Sequence, residues 1–320
     1  MQPLLTSYNS SVTVPILTKM AIKIQGIQKF IGDDICPVIP VPDNEGTYYS
    51  FPKGPWRRDS AGERGPSQRA PRGGYTLSKT AYATRNWTQA KEIPDEELRR
   101  ARALNHPAIQ PFMTATQFCK NQVQLRKEIE LATAYFGASV WTGMETTLSG
   151  NDQWNNYDTS DPLGNADTAK DNLRKKAGVP ASQVTCLMGV EVYDKLVRHS
   201  KLRTQFDPTF SGNLDAEKIR QIFGVKRVVV GEASYETSAE GAASEVNGYI
   251  WGKYCLFMYI PDAPAIDQPS ATYQFRVEGS DAITTWREEA EHQAVVEYAY
   301  DMVPEITSAI CGAIYINAVG

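Results

Sequence analysis

The chain has 320 residues, of which 42% are hydrophobic and 22% charged, and its formal net charge is −4. This composition is typical of a folded globular protein, and the acidic balance argues against bulk attraction to nucleic acid. The five cysteines are scattered, which favours reduced thiols over a disulfide framework or a zinc site. No apolar run is as long as the roughly 18 residues of a membrane helix, and the first residues do not resemble a signal peptide.

Residues 1–45 are predicted to form a poorly packed leading arm. Its second half, residues 31–42, alternates proline with β-branched residues. Proline at that density excludes a helix and a central strand, so we expect an extended segment at a sheet edge.

Residues 46–92 form the most unusual stretch. Strand-like runs begin at Thr47 and Tyr75, but residues 52–76 contain no Val, Ile, Leu, Met or Phe. The cations between the runs are Lys53, Arg57, Arg58, Arg64, Arg69 and Arg72, against only Asp59 and Glu63. Composition alone slightly favours a disordered basic loop. The paired strand-like runs favour an extended arm that is ordered against another subunit.

A short helix is predicted to begin at Pro94 and to end near His106, because carboxylates follow the proline. A long helix is predicted over residues 107–140, with two offset apolar stripes. At 1.5 Å per residue it would span roughly 50 Å, which is longer than a compact domain usually needs. We therefore interpret it as a spine.

From Asp167 onward the pattern alternates between helix and strand and predicts an α/β domain of about a hundred residues. It includes a helix from Leu214 capped by Asn213, and a strand or hairpin around Gly252. Residues 272–318 then predict long antiparallel strands that the spine helix would cover.

Motifs for chemistry are absent. The sequence has no dinucleotide or phosphate-binding glycine loop and no nucleophile elbow. His106, His199 and His292 show no ligand spacing, and Cys119 falls on an apolar stripe, which favours a buried thiol. His199 follows a predicted helix, where its charge would favour the negative end of the dipole. We predict no catalytic, cofactor-binding or metal-binding residue and no enzyme activity.

The order of elements resembles one family, the major capsid proteins of tailed bacteriophages, whose fold is named after phage Hong Kong ninety-seven. The resemblance covers essentially the whole chain. It is carried by DTAK at 167–170, AGVPA at 177–181, LMGVEVYDKL at 187–196, IRQIFGVKRVVVGEA at 219–233 and WGK at 251–253.

The resemblance implies an α+β fold with an N-terminal arm, an extended loop, a spine helix with a peripheral antiparallel sheet, and an α/β axial domain. The corresponding ranges are 1–45 for the arm, 46–92 for the loop, 93–154 with 266–320 for the peripheral domain, and 155–265 for the axial domain. Its implied function is an icosahedral shell around double-stranded viral DNA, assembled in the host cytoplasm and found in the virion.

The implied partners are further copies of the chain, as hexamers and pentamers, with portal and decoration proteins. DNA would be contacted weakly and without sequence preference. The family often carries a removable N-terminal scaffolding segment of around a hundred residues. Here Met1 leads directly into the arm, which implies a separate scaffolding protein or none. Some members form a lysine–asparagine cross-link, which we do not expect at Lys53 or Lys79.

Contacts between subunits are expected at both arms. Ile16, Leu17, Ile22 and Ile24 should be covered mainly by other chains. The loop arginines should pair with carboxylates of a neighbour, with Trp56 and Tyr75 as apolar anchors. The candidate carboxylates are Glu288, Glu289 and Glu291, or Glu128 and Glu130 on the spine helix.

Two other functions are open. One is an encapsulin-like nanocompartment that holds protein cargo, although such a shell has no obvious need for a long basic arm. The other is an α/β enzyme with a disordered basic loop, which would be a monomer or small oligomer with a catalytic pocket.

Overall fold

A computed structural model describes part of the chain. The described residues are 12–13, 28–50, 58–59, 61–66, 69–70, 72–104, 110–137, 139–206, 212–238, 244, 246–264 and 269–320. The predictions for Ile16, Leu17, Ile22, Ile24, Trp56 and Arg57 lie outside these ranges.

Fifteen strands are present in the described ranges. They are β1 (Val12–Thr13), β2 (Val38–Val41), β3 (Glu45–Ser50), β4 (Ser78–Ala83), β5 (Arg85–Pro94), β6 (Glu145–Thr147), β7 (Val184–Gly189), β8 (Arg227–Gly231), β9 (Ser234–Glu236), β10 (Asn247–Tyr249), β11 (Cys255–Tyr259), β12 (Tyr273–Val277), β13 (Ala282–Glu288), β14 (Gln293–Glu305) and β15 (Gly312–Ile316).

Seven α-helices accompany these strands in the same ranges. They are α1 (Gly32–Ile35), α2 (Asp95–Leu104), α3 (Pro111–Phe136), α4 (Pro162–Asn172), α5 (Val190–Val197), α6 (Ser200–Phe206) and α7 (Ala216–Phe223). Helix α4 continues into a π-helical turn over Leu173–Ala177 and ends at Gly178, which is left-handed with φ 74°. Glycine adopts that conformation without a steric penalty.

Two sheets organise the fold. A six-stranded sheet has the order β1-β13-β14-β12-β2, with β5 also paired to β14. A five-stranded sheet has the order β6-β15-β11-β7-β8. The chain is therefore a mixed α+β protein, as predicted.

The predicted spine is helix α3, which has 26 residues and spans about 39 Å at 1.5 Å per residue. One face packs on the six-stranded sheet, where Cys119 and Val123 meet Ile283 and Val296. Its C-terminal half, with Leu131 and Tyr135, enters the larger core around the five-stranded sheet. The two offset apolar stripes thus have two different partners, as predicted.

The leading arm is better packed than predicted. Ile31, Ile35 and Cys36 are buried in the larger core of their own chain. Strand β2 forms the edge of the six-stranded sheet and pairs in parallel with β12, which confirms the predicted edge segment for the second part of residues 31–42. The exclusion of a helix from that range is wrong, because Gly32–Ile35 form helix α1 before the first of its prolines, Pro37. The arm 1–45 was expected to be poorly packed, and for its described part from residue 31 onward that expectation is wrong. Ile39 and Val41 also pack in a core, with Tyr273 and Phe275 of β12.

Several strands pair differently from the prediction. Strand β15 was assigned to the peripheral sheet with the rest of 266–320, but it lies in the five-stranded sheet between β11 and β6. Strand β5 falls inside the predicted loop 46–92, but it pairs along β14 in the six-stranded sheet. No hairpin forms around Gly252, because β10 pairs with β9 and β11 pairs with β7 and β15. Helix α7 is capped by Asp215, whose carboxylate accepts from Lys218 N at 2.9 Å, and not by Asn213.

Candidate assembly surfaces

The predicted extended loop is a two-stranded ribbon. Strands β3 and β4 pair antiparallel from Glu45↔Ala83 to Ser50↔Ser78. A pair of strands without a covering layer is marginally stable in water. Tyr49, Tyr75 and Leu77 are 57%, 55% and 51% exposed. Large apolar side chains at that exposure, grouped on one projecting element, are typical of a surface that another chain covers.

The basic residues of the ribbon tip are exposed. Arg58, Arg64, Arg69 and Arg72 all lie at the surface, as do Asp59 and Glu63. Within the described ranges, none of these four arginines forms an ion pair with a carboxylate. The tip therefore presents concentrated positive charge on a chain of net charge −4.

Aromatic stacking holds the root of the ribbon. The Tyr82 ring stacks on Phe275 with centroids 4.6 Å apart, and the Tyr48 ring is tilted against the same ring at 5.4 Å. Beneath them lies a small core of Ile39, Val41, Tyr273 and Phe275. Aromatic pairs of this kind add about 0.5–1.5 kcal/mol beyond their buried area. The ribbon is thus fixed at its base by contacts with its own subunit.

The predicted acidic cluster forms the tight turn between β13 and β14. Glu289 accepts from Arg287 Nε at 2.9 Å, whereas Glu288 accepts from Gln293 and from the Trp286 indole. Hydrogen bonds from Gln293 and Trp286 lower the pKa of Glu288. The pKa of Glu291 is raised by a hydrogen bond shared with Glu288 and by the negative charge of Glu288. The turn is exposed and acidic, but Glu289 already has a cation on its own chain.

The base of this turn is fixed by a two-pronged ion pair. Arg287 donates to both carboxylate oxygens of Asp95, at 2.9 and 2.7 Å. This contact with Arg287 lowers the pKa of Asp95. Paired hydrogen bonds fix orientation as well as charge. The turn is therefore held against the start of helix α2.

The spine carboxylates are not available to a neighbouring arm. Glu130 is paired with Arg126 one helical turn away. Glu128 is buried and accepts from the backbone N–H groups of Ile31 at 3.0 Å and Gly32 at 2.9 Å. The Trp251 indole also donates to it at 2.8 Å. The hypothesis that Glu128 meets loop arginines is wrong, because its acceptors are already used inside the chain.

This buried carboxylate joins three parts of the fold. It stands on the spine helix, binds the start of α1 in the leading arm, and receives the indole of Trp251 from the segment before β11. Burial raises the pKa of Glu128, and the three donors oppose that rise. Sequence reasoning missed this role, since a glutamate beside an apolar helical stripe has the same pattern as a solvent-facing one.

The two histidines in the described ranges, His199 and His292, lie in different surroundings. His199 is buried, and its Nε2 lies 3.1 Å from Ser160 Oγ. Burial lowers its pKa to about 4, so it is neutral near pH 7. The expectation that its charge would favour a helix end is therefore wrong. His292 is exposed in the acidic turn, and His106 lies outside the described residues.

All five cysteines are free and buried. Cys119 Sγ faces the carbonyl of Val296 at 3.6 Å, and burial raises its pKa to about 11. A thiol with a raised pKa is a poor nucleophile, so the prediction of an inert Cys119 is confirmed.

Two other features, a membrane-spanning helix and a metal-binding cluster, are absent from the described ranges. None of their helices is both long and apolar enough to cross a membrane. No group of three or more His, Cys, Asp or Glu side chains there is arranged to hold a metal ion.

Known proteins resemble this chain in sequence and in fold. Residues 132–254 match the family described as Phage major capsid protein E. The major capsid protein of Burkholderia phage BcepMu is 26% identical over 297 residues, which cover 88% of this chain and 89% of that protein.

Two solved structures share the fold over nearly the whole chain. A phage-related protein from Bordetella bronchiseptica RB50 superimposes with a TM-score of 0.73 at 20% identity, covering 97% of this chain and 99% of that one. The capsid structure of Cyanophage P-SCSP1u gives a TM-score of 0.61 at 10% identity, covering 99% and 92%. The family match, the curated relative and the shared fold thus all relate the chain to phage major capsid proteins, and its fold is of the Hong Kong ninety-seven type.

Proposed function

We propose that this chain is a phage major capsid protein, which assembles, as hexamers and pentamers, into an icosahedral shell that encloses double-stranded viral DNA. The observation that carries the proposal is the projecting ribbon. Its apolar side chains are exposed, and its described arginines have no carboxylate partner within the described part of their own chain. A neighbouring subunit would supply both an apolar surface that covers these side chains and carboxylates that pair with the arginines.

The ribbon tip would lie over an adjacent subunit, where Glu288 and Glu291 are the best candidate partners. Both are near the surface and neither is paired with a cation in the described ranges, whereas Glu289 is held by Arg287. Arginine suits such contacts because its planar fork binds a carboxylate through two hydrogen bonds. Each exposed pair contributes only about 0.2–1 kcal/mol, but the contact repeats at every subunit.

Each subunit of a closed shell contacts several neighbours, so its interfaces are numerous and individually modest. A single standard interface buries roughly 1,600 Å² in total. The sum for one subunit would be several times that figure. Ile16 and Leu17 in the leading arm, and Trp56 and Arg57 in the loop, are proposed to take part in these contacts.

The shell wall would contact DNA weakly and without sequence preference. The chain has a net charge of −4, whereas proteins that bind DNA through its phosphates present an excess of Lys and Arg. DNA would then be confined by the closed wall. In this proposal the chain has no catalytic role. Its partners are further copies of itself, with portal and decoration proteins, and it assembles in the host cytoplasm.

Electron microscopy of particles purified from phage-producing cells, combined with nuclease treatment, tests this function. We expect closed shells that contain this chain and protect double-stranded DNA from the nuclease. Shells that hold protein cargo and no protected DNA would favour a nanocompartment instead. A megadalton assembly is expected on size-exclusion chromatography, and elution only as a monomer or small oligomer would contradict the proposal.

A further inference from the structure

A polar cavity of about 410 Å³ lies between the spine helix and the six-stranded sheet. Helix α3 contributes Lys120 and Lys127, strand β12 contributes Arg276, and strand β14 contributes Tyr300. Its volume falls in the range of about 300–1,000 Å³ that is usual for small-molecule sites.

The two lysines are deeply placed for charged residues. Lys120 is 8% exposed and Lys127 is 7% exposed. Lysine is rarely buried to that extent unless a negative charge lies nearby, because removing an ammonium group from water is strongly unfavourable. The charged groups around the two lysines therefore determine whether the positive charge of the cavity is neutralised.

The described lining has more positive than negative charge. Lys127 forms an ion pair with Asp33, and its Nζ lies 3.4 Å from the Tyr300 hydroxyl. Lys120 interacts electrostatically with Asp281 and Asp33. With Arg276 the lining has three cations against these two carboxylates, so one positive charge is left over.

The lining also offers hydrogen-bond donors. The Tyr300 oxygen accepts from Gln274 Nε2 at 2.8 Å, which leaves its own proton for an acceptor in the cavity. The guanidinium of Arg276 lies over the same ring, with its Cζ 5.9 Å from the ring centre. An arginine guanidinium and a tyrosine hydroxyl are both donors suited to an anionic oxygen.

We propose that this cavity binds one oxyanion, a carboxylate or phosphate group, through Lys120, Arg276 and Tyr300. The group could come from a free anion or from a side chain of a neighbouring copy. The site itself does not depend on the proposed function, because the described lining residues all belong to one chain. Only the second source requires shell assembly.

The titration of Lys120 is consistent with this site. Burial lowers the pKa of Lys120, and the nearby carboxylates oppose that effect only in part. A bound anion would add negative charge beside the ammonium group and raise its pKa.

Phosphate titration of the purified full chain, kept unassembled at low concentration, tests the site. Binding is followed by isothermal calorimetry at constant ionic strength, with chloride as the competing background. We expect saturable binding of one phosphate per chain, weakened about tenfold or more by Lys120→Met and by Arg276→Met. Lys195→Met, on the exposed side of helix α5, is the matched control and should bind like the unmodified protein.

Absence of saturable phosphate binding by the unmodified chain would overturn the proposal, and this result does not depend on any variant folding. Equal binding by the unmodified chain and a folded Lys120→Met variant would overturn it as well. The same titration on assembled shells identifies the source. Binding to both forms indicates a free anion, and binding only to unassembled chains indicates a carboxylate from a neighbour.

Discussion

The indole nitrogen of Trp251 donates to the carboxylate of Glu128 at 2.8 Å, and this buried contact joins the spine helix to the five-stranded sheet domain. The same carboxylate binds two backbone N–H groups at the start of α1. One side chain therefore fixes the relative positions of the leading arm, the spine and the second domain.

Replacing Glu128 with Gln should destabilise the fold by about 1–3 kcal/mol, because an amide has one acceptor oxygen where three donors converge. Urea unfolding followed by circular dichroism measures the change in the free energy of unfolding. Glu130→Gln is the control on the same helix. It removes only the pair with Arg126 and should change stability by less than about 1 kcal/mol. Equal effects of the two substitutions would contradict the role assigned to Glu128.

Acid should weaken the fold through His199. Its pKa is about 4 in the folded chain, against about 6.5 when unfolded. The unfolded chain therefore binds the proton first, and stability falls as the pH drops from about 6.5 towards 4. His199→Gln should reduce the loss of unfolding free energy between pH 7 and 4.5 by about 2 kcal/mol.

His292→Asn is the control for this titration. His292 is exposed and has a positive φ of 51°, which asparagine tolerates. The acid sensitivity of this variant should match that of the unmodified chain. If His199→Gln retains the full pH dependence, the buried imidazole is not its source.

Gly189 should not tolerate a side chain. A Cβ added there would collide with the backbone carbonyl of Gly252, which cannot move aside as a flexible side chain can. Gly189→Ala should lower the unfolding free energy by at least about 1–3 kcal/mol, or prevent folding. Gly74→Ala is the control, since nothing lies within 4 Å of its added Cβ. Thermal unfolding of the two variants compares the sites, and equal melting temperatures would contradict the close approach.

Local patterns predicted the elements better than their ends. The spine helix was expected from residue 107, but it begins at Pro111. Both Pro107 and Pro111 satisfy the preference for proline in the first turn, so the sequence does not choose between them. At the other end Gly137 terminates the helix before residue 140. The paired strands of the ribbon were predictable because Tyr and Thr runs flank a segment that has no apolar core of its own.

Long-range pairing was not predictable. The apolar run of β15 fits either sheet, since hydrophobicity does not encode which strand will be its neighbour. The role of Glu128 was hidden for the same reason, because the N–H groups it binds belong to residues 97 and 96 positions away. The helical sequence around Glu128 does not differ from the sequence around an exposed glutamate.

Charge reversal at the ribbon tip should slow shell assembly. Arg57→Glu with Arg58→Glu would replace attraction to a neighbour's carboxylates with repulsion, and the effect should be larger at low salt because salt screens exposed charges. Light scattering at a series of salt concentrations measures the assembly rate. Arg100→Glu with Arg102→Glu, on helix α2, changes the net charge equally and is the control. A defect that is independent of salt, or shared by the control, would contradict the electrostatic contact.

Removal of residues 56–73 tests most directly whether the ribbon holds the shell together. The deletion leaves β3, β4 and the aromatic contacts with Phe275 in place, so the subunit should keep a near-native circular dichroism spectrum. Negative-stain electron microscopy of both proteins, prepared in parallel, should show closed shells for the full chain and none that are stable for the deletion variant. Shells from the variant with normal yield and heat resistance would contradict the account.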